Sequence, residues 1–386
     1  FGSRVWNSRS PQVAWNMSAI PINQLARPKN TKYECEVCGK PAALKCSECP
    51  TYYCTQEHFD VDWRGIRHLI AGDIMVLRER PKMIGSEEER EKRAKELEDI
   101  RKELLDLCTE TAQKHLVQAK YELAVPGALQ SLKLAIEVYG SEATELVPSY
   151  LLLAEANLGL RRLKIAEEFL SLANWNILKH PQAGSSMMSN LQRNFGRLYA
   201  AQQRYNEALQ AFATDIYHSS LEFGPENIRS APSYFHMGRV FQSHQKSDRA
   251  SSFYAKVVDI YTSFLEDWLN ADGQPGLGES FEITAVEVEE AIEIIKHIID
   301  YRDKRDEDEK TERSHTETAE GRYTLGLLFV FTNDLAGGKE CLVQASEIFK
   351  STLGVDHQTS KKSEVQLDRV EERMQREALA RESLGN

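Results

Sequence analysis

A repeat of 42 residues is the feature that most constrains how this chain can fold. Each copy combines a small residue, an alanine twelve residues later and an apolar residue four residues beyond that alanine. The small residues are Ala112, Ala154, Gly196 and Gly238, the alanines are Ala124, Ala166, Ala208 and Ala250, and the last set is Ala128, Leu170, Phe212 and Tyr254. A small residue lets two antiparallel helices approach closely, and larger side chains fill the remaining seam. Because one helix pair cannot bury its own apolar face, the pattern predicts a mainly α solenoid of stacked helix pairs.

The repeat is interrupted and then resumes. A fifth copy of the pattern lies within residues 325–342. We therefore predict a helical solenoid over residues 80–356, with an interruption near residues 270–315 that holds a degenerate helix pair. The strongly charged segment 357–386 carries one thin apolar stripe. It is predicted to form a capping helix, because a solenoid needs a polar terminal face.

These positions resemble the tetratricopeptide repeat, and the repeat length resembles that of its kinesin-light-chain variant. That variant has a glycine turn after the second helix of each pair. Gly140, Gly224 and Gly354 each stand 16 residues beyond the alanine position or its equivalent, as this turn requires. The resemblance spans about residues 104–356 and implies a surface that binds other proteins.

A second constraint is a cluster of metal-binding residue types near the N-terminus. Five of the seven cysteines and two histidines lie within 34 residues. They are Cys35, Cys38, Cys46, Cys49, Cys54, His58 and His68. A Cys-x2-Cys pair brings two thiolates from one tight turn to a single ion, and two such pairs with later ligands suit tetrahedral zinc. A disulfide framework is the alternative, but it is typical of small secreted domains, and no secretory apolar region precedes the cluster.

The cluster resembles the MYND zinc finger in its spacing, in the Tyr52-Tyr53-Cys54 run and in the helix-like segment that follows. That family holds two interleaved zinc ions, and the resemblance places the finger at residues 34–73. The implied first site consists of Cys35, Cys38, Cys54 and His58, and the implied second site of Cys46, Cys49 and His68. Gly72 stands where the family has its last cysteine, so the second site is incomplete and would need a water or a carboxylate such as Asp73. We expect one zinc ion at the first site.

The N-terminal segment differs from the rest of the chain in composition. Residues 1–33 hold five basic residues, three prolines and no acidic residue. This composition predicts a disordered basic tail. Docking of this basic arm on an acidic surface is the alternative. Met17 is a candidate start of the natural chain.

Composition and motifs argue against several classes of function. The net charge of −11 argues against general nucleic-acid binding, which relies on basic stripes. The apolar runs are too short to cross a membrane, and we find no phosphate-binding loop, dinucleotide fingerprint or nucleophile elbow. SET-domain lysine methyltransferases also carry MYND fingers, but the residues after this finger read as helices and lack that family's cofactor motif. The sequence therefore predicts no enzymatic activity, no small-molecule substrate and no membrane or nucleic-acid partner.

The order of parts, a MYND-type finger followed by tetratricopeptide repeats, resembles that of MYND proteins in motile-cilium axonemes. Residues 121–132 and 145–156 carry this resemblance in sequence. It implies a cytoskeletal scaffold of the cilium or flagellum, near inner dynein arms and beside another tetratricopeptide protein. The alternative is a cytosolic or nuclear adaptor that binds proline-containing peptide motifs.

Overall fold

The computed structural model describes residues 18–23, 31–78, 86–180, 182, 184–224, 226–270, 283–309 and 311–384. The chain divides into two compact units. The finger unit comprises Phe1–His115 and Lys120–Ser141, and the repeat unit comprises Leu116–Ala119 and Glu142–Asn386.

The finger unit contains a small antiparallel sheet with its strands in the order β1 (Ala19–Pro21), β2 (Leu44–Cys46) and β3 (Tyr52–Tyr53). Strand β1 lies within the segment predicted to be a disordered tail, so that prediction is wrong for residues 19–21. The strand is ordered by backbone pairing with β2, extended by a hydrogen bond from Ile22 N to Ala43 O at 2.9 Å, rather than by burial of its own side chains. The amino-acid composition of a segment carries no information about such backbone pairing. The rest of the predicted tail at residues 1–17 and 24–30 lies outside the described residues.

The helices of the finger unit are α1 (Gln56–Asp62), a π-helical turn (Trp63–Arg67), α2 (His68–Arg78), most of α3 (Glu87–Val117) and α4 (Tyr121–Tyr139). The first helix pair, α3 and α4, therefore shares a compact unit with the cysteine cluster. Gly65 permits this close packing, because a Cβ there would lie 2.7 Å from the backbone oxygen of Leu123. His115 Nε2 lies 3.2 Å from the Gly65 carbonyl oxygen, within hydrogen-bond distance. The shared core includes Ile66, Ile70, Ile74, Leu104, Cys108 and Leu134.

The described part of the repeat unit consists of helices joined by short turns. Its helices are α5 (Val147–Gly159), α6 (Leu163–Lys179), α7 (Ser185–Ala201), α8 (Tyr205–Phe223), α9 (Ala231–Ser243), α10 (Ser247–Asn270), α11 (Ala285–Glu309), α12 (Glu312–Phe331), α13 (Leu335–Leu353) and α14 (Gln358–Leu384), with short 3-10 turns at Thr144–Leu146 and Ile228–Ser230. The pairs α5–α6, α7–α8, α9–α10 and α12–α13 are copies of the repeat, which confirms the predicted mainly α, tetratricopeptide-type fold. Within the described ranges, no helix combines the length and the apolar character needed to span a membrane.

The small residues of the repeat lie where paired helices touch. A Cβ added to Gly196 would lie 2.5 Å from the Phe212 ring, and one added to Gly238 would lie 2.5 Å from the Tyr254 ring. The four alanines spaced by 42 residues are fully buried. The aromatic residues of the pattern are therefore core residues, as the spacing predicted.

The repeats have a second periodic feature, which lies in the turn within each helix pair. The turn between the two helices of each pair holds a residue with φ between 55° and 64°, and these residues are Ala119, Arg161, Gln203, Gln245 and Asn333. After each of these five residues, the next residue's N–H bonds to the carbonyl five residues earlier, as from Arg204 N to Tyr199 O at 2.8 Å. This hydrogen bond closes the first helix in a Schellman motif. Because glycine does not occupy these positions, residue type gave no signal. The glycine turns after the second helices, at Gly140, Gly224 and Gly354, have φ of 87° to 90° and confirm the prediction.

The predicted interruption contains one helix, α11, in the part that the structure describes, and residues 271–282 lie outside it. In place of a separate degenerate helix pair, the described residues therefore contain α11 alone, followed by α12 of the fifth copy. The charged end of α11 is tied to α12 by ion pairs, since Arg322 contacts Asp303 at 2.9 Å and Arg305 contacts Glu317. The helix α14 coincides with the predicted capping segment and buries Val370.

Replacing Gly238 with leucine tests the seam between α9 and α10. The Tyr254 ring is fully buried and its hydroxyl donates to Gln242 Oε1 at 2.7 Å, so it cannot move away without cost. We expect Gly238→Leu to lower the free energy of unfolding by roughly 1–3 kcal/mol, measured by chemical denaturation. Ser243→Leu adds a leucine at an exposed position of the same helix and should change it by less than about 0.5 kcal/mol. Equal effects of the two substitutions would contradict the seam assignment.

Candidate metal centre

The first cysteine pair is held in a tight turn before β2. Gly39 N donates to Cys35 O at 2.9 Å, and Cys35 N donates to Lys40 O at 2.8 Å. Gly39 has a φ of 68°, a left-handed conformation that glycine adopts without strain. The reversal brings Cys35 and Cys38 to the same side of the turn.

The second half of the group comes from the junction between β3 and α1. Cys54 follows β3 directly, and Thr55 is the N-cap of α1, accepting a hydrogen bond from His58 N at 3.3 Å. This cap starts the helix immediately after the cysteine and sets His58 in its first turn. The side chains of Cys54 and His58 consequently face one point, with Sγ and Nδ1 3.2 Å apart.

These four side chains form a compact donor group. Their ligand atoms, the Sγ of Cys35, Cys38 and Cys54 and a ring nitrogen of His58, all lie within 4.8 Å of one another. The Cys38 and Cys54 sulfurs are 3.6 Å apart, and Cys35 Sγ lies 3.4 Å from His58 Nδ1. Tetrahedral zinc with Zn–S bonds of about 2.3 Å requires sulfur–sulfur distances of about 3.8 Å. The group is therefore the right size and composition to hold such an ion.

The residues of the predicted second site are arranged differently. Cys46 and Cys49 are buried, and the neighbouring Cys49 thiol lowers the pKa of Cys46 to about 6. His68 is exposed and its Nδ1 lies 2.7 Å from the carbonyl oxygen of Trp63, so that nitrogen is occupied as a donor. Among the residues that the structure describes, only the first set forms a compact group of three or more donors. The structure therefore does not bring His68 together with Cys46 and Cys49.

A carboxylate between the first two cysteines joins the finger to its neighbouring helices. Glu36 accepts from Arg78 in α2 at 2.8 Å and from Lys133 in α4 at 2.9 Å, and its side chain is 8% exposed. Burial alone would raise the pKa of Glu36, but the hydrogen bond from Arg78 and the charges of Lys133, Arg78 and Arg67 lower it to about 2. The turn that carries Cys35 and Cys38 is thereby fixed to both helices.

A buried polar chain continues from this carboxylate into the core of the finger. Arg67, which is 1% exposed, donates from Nε to Asp62 at 2.9 Å. Asp62 also accepts from the Tyr53 hydroxyl at 2.5 Å, and that hydroxyl lies 3.1 Å from Thr51 Oγ1. Burial opposes the charge of Arg67, but Asp62 and Tyr53 outweigh it, so the pKa of Arg67 is raised. The sequence gives no sign of the roles of Glu36, Asp62 and Arg67, because no spacing rule connects residues that meet only after folding.

Comparisons with known proteins bear on the repeats. A tetratricopeptide repeat model matches residues 187–263. The apo form of RapI has a similar structure, at 15% identity and a TM-score of 0.37, covering 72% of this chain and 73% of that one. A putative kinesin light chain of Podosopora anserina with nearly identical TPR-like repeats gives 16% identity and a TM-score of 0.33, covering 64% and 96%. BtubC (BKLC) from P. vanneervenii gives 14% identity and a TM-score of 0.29, covering 65% and 92%. Because tetratricopeptide repeats mediate contacts between proteins, the match over residues 187–263 indicates that this chain binds other proteins.

Metal loading tests the first site directly. We expect the full-length chain to retain at least one zinc ion after mild chelation, measured by native mass spectrometry. Cys35→Ser should abolish that retention because it removes one of four ligands, whereas Cys341→Ser in α13 should preserve it. A folded finger without metal, seen as unchanged hydrogen exchange over residues 31–78 after chelation, would contradict the assignment.

Replacing Glu36 with glutamine tests the connection between the cysteine turn and the helices. The substitution keeps the shape but removes the charge that Arg78 and Lys133 contact. We expect a loss of roughly 1.5–3 kcal/mol in the free energy of unfolding of the finger unit, with faster hydrogen exchange in both the cysteine turn and α4. Glu34→Gln makes the same change at an exposed neighbour and should have little effect. Faster exchange confined to the turn would show that the contact with α4 carries no stability.

Proposed function

We propose that this chain is a non-catalytic scaffold of the motile-cilium axoneme, associated with inner dynein arms through its repeats. The supporting observation is the 42-residue repeat, whose copies fold as helix pairs and include the segment matched by a tetratricopeptide repeat model. A stack of helix pairs presents an extended surface that suits binding to other proteins.

The assignment to the axoneme is based on resemblance in sequence. A MYND-type finger followed by tetratricopeptide repeats, with a histidine at position 58 as a ligand, resembles zinc finger MYND domain-containing protein 12. The resemblance suggests another tetratricopeptide protein and inner-arm dynein components as partners. In this proposal the finger holds zinc at Cys35, Cys38, Cys54 and His58 and contributes a second protein contact.

Fractionation of isolated cilia tests this function. The protein should stay with the axoneme when membrane and matrix are removed by mild detergent, and cross-linking mass spectrometry should connect it to a tetratricopeptide protein and to dynein subunits. Release with the membrane-and-matrix fraction would contradict a structural role. The adaptor that binds proline-containing motifs would then be the better hypothesis.

Loss of the protein gives a second test. Cilia should form but beat abnormally, because a scaffold near inner arms affects the motors without building the doublets. The neighbouring tetratricopeptide protein should also be lost from the axoneme, measured by quantitative proteomics, since each supplies a binding surface to the other. Normal beating with an unchanged axonemal proteome would reject the proposal.

A further inference from the structure

Helix α11 interrupts the repeat, yet it packs against helices that belong to the repeat. It lies against α9 and α12, which are the first helices of their pairs. Its start also approaches α7, because Glu287 and Val288 line the same cavity as Arg193 of that helix, and this cavity has a volume of about 220 Å³. First helices follow one another along one face of a stack. The start of α11 therefore lies over part of the face formed by α5, α7 and α9, which we call the first-helix face.

The first-helix face carries an excess of positive charge. Helices α5, α7 and α9, together with the turn before α9, contain four basic residues, Arg193, Arg197, Arg229 and Arg239. Their one acidic residue, Glu155, forms an ion pair with Arg197. Asp215 of α8 is buried and lies 2.9 Å from Arg193. Four arginines against Glu155 and Asp215 leave an excess of two positive charges.

The start of α11 has the opposite charge. Residues 285–291 contain no basic residue and three acidic ones, Glu287, Glu289 and Glu290. Glu287 Oε1 lies 3.6 Å from Arg229 Nε. Burial raises the pKa of the Glu290 carboxyl group, and the positive charges of Arg193 and Arg197 oppose that increase. The start of α11 therefore supplies negative charge where the first-helix face has an excess of positive charge.

The end of α11 is held by more contacts than its start. Arg302 is 1% exposed and donates to the Glu317 carbonyl oxygen, and Asp303 lies 2.9 Å from Arg322 of α12. The middle and the end of the helix also bury five apolar side chains, those of Ala291, Ile294, Ile295, Ile298 and Ile299. Within residues 285–290, all of which the structure describes, Val288 is the one buried side chain.

The contacts of the start are also weaker. The side chains of Arg229 and Glu287 are 32% and 37% exposed, and exposed ion pairs contribute little to stability. The cavity beside this segment removes packing contacts on one side. Segments with few buried apolar contacts open at a lower free energy than the core around them. Opening of the first two turns of α11 therefore requires less free energy than release of the whole helix.

We propose that residues 285–290 are a displaceable internal cover, and that the first-helix face binds an acidic amphipathic segment of a partner protein in their place. The partner's carboxylates contact Arg193, Arg197 and Arg229, and an apolar side chain replaces Val288. The cover itself indicates this chemistry, because its glutamates and its apolar residue already fit the face. A cover that must open lowers the partner's apparent affinity in proportion to the open fraction. This inference rests on the protein-binding role proposed above and specifies the partner's chemistry.

Binding of a fluorescent peptide to the full-length protein tests the cover. The peptide has the sequence of residues 283–296, and binding is measured by fluorescence anisotropy. The double variant Glu287→Gln, Glu290→Gln has a weakened cover, so it should bind the peptide about threefold to thirtyfold more tightly than the unaltered protein does. The control Glu293→Gln, Asp300→Asn removes two charges from the exposed side of α11 and should leave the affinity unchanged. Equal affinities for the three proteins, or no binding to the double variant, would overturn the proposal.

Changing the peptide instead of the protein gives a test that does not depend on the stability of a variant. A peptide with glutamine at the positions of Glu287 and Glu290 should bind the unaltered protein and the double variant more weakly than the original peptide, by a similar factor of about threefold to thirtyfold. The reason is that this peptide cannot replace the carboxylates of the cover. Binding that does not depend on the peptide's carboxylates would overturn the acidic chemistry of the partner.

Hydrogen exchange locates the bound peptide. Binding should speed exchange in residues 285–290 and slow it in α7 and α9, with no change in residues 295–305. Unchanged exchange in residues 285–290 would show that the peptide binds elsewhere and would overturn the cover. If analytical ultracentrifugation shows a dimer of the protein that the peptide dissociates, α11 of a second copy occupies the face and the proposed partner is wrong. Failure of these tests with retention of the protein in the axoneme would reject this inference and leave the scaffold function standing.

Discussion

The repeat unit depends on one constraint. The two helices of each pair approach closely at a residue with little or no side chain. Gly196 meets the Phe212 ring and Gly238 meets the Tyr254 ring, and in both pairs an added Cβ would lie 2.5 Å from that ring. The contact fixes the register of the two helices, because sliding one along the other would drive an aromatic ring into a larger side chain. The fifth copy keeps the same contact with aliphatic chemistry, since a Cβ at Gly326 would lie 2.8 Å from Leu342. The copies therefore share the geometry of this helix contact and not the residue types that form it.

The finger unit is organised around charge as well as metal ligands. Glu36 stands between Cys35 and Cys38, and its carboxylate contacts Arg78 and Lys133 on two different helices. These contacts hold the turn that carries the two cysteines against both helices. The cysteine cluster and most of the first helix pair lie in one compact unit. This unit differs from the division predicted from the sequence, which separated a finger at residues 34–73 from a solenoid at residues 80–356.

Features with a strict period or spacing were predictable from sequence, and features created by tertiary contact were not. The helix pairs and their glycine turns follow from fixed intervals, as with Gly140 and Gly224, and the first donor group was implied by the resemblance to the MYND finger. The left-handed residues between paired helices were missed because positions such as Gln203 carry no characteristic residue type, although non-glycine residues in that conformation cost about 1–2 kcal/mol each. Strand β1 was missed because backbone pairing holds it. The pair Asp62 and Arg67 was missed because charged residues are expected at the surface.

The interruption of the repeat changes how neighbouring helices of the repeat unit pack. In the regular copies each helix pair is packed by residues that recur every 42 positions, so their surfaces vary mainly in exposed side chains. Helix α11 breaks that period and is joined by ion pairs to α12, while Tyr261 in α10 stands where the preceding copy has Ser219. The packing at this point therefore depends on side chains that do not recur every 42 positions. Because a uniform stack offers the same seam at every pair, this irregularity gives the repeat unit a packing arrangement that its regular copies do not have.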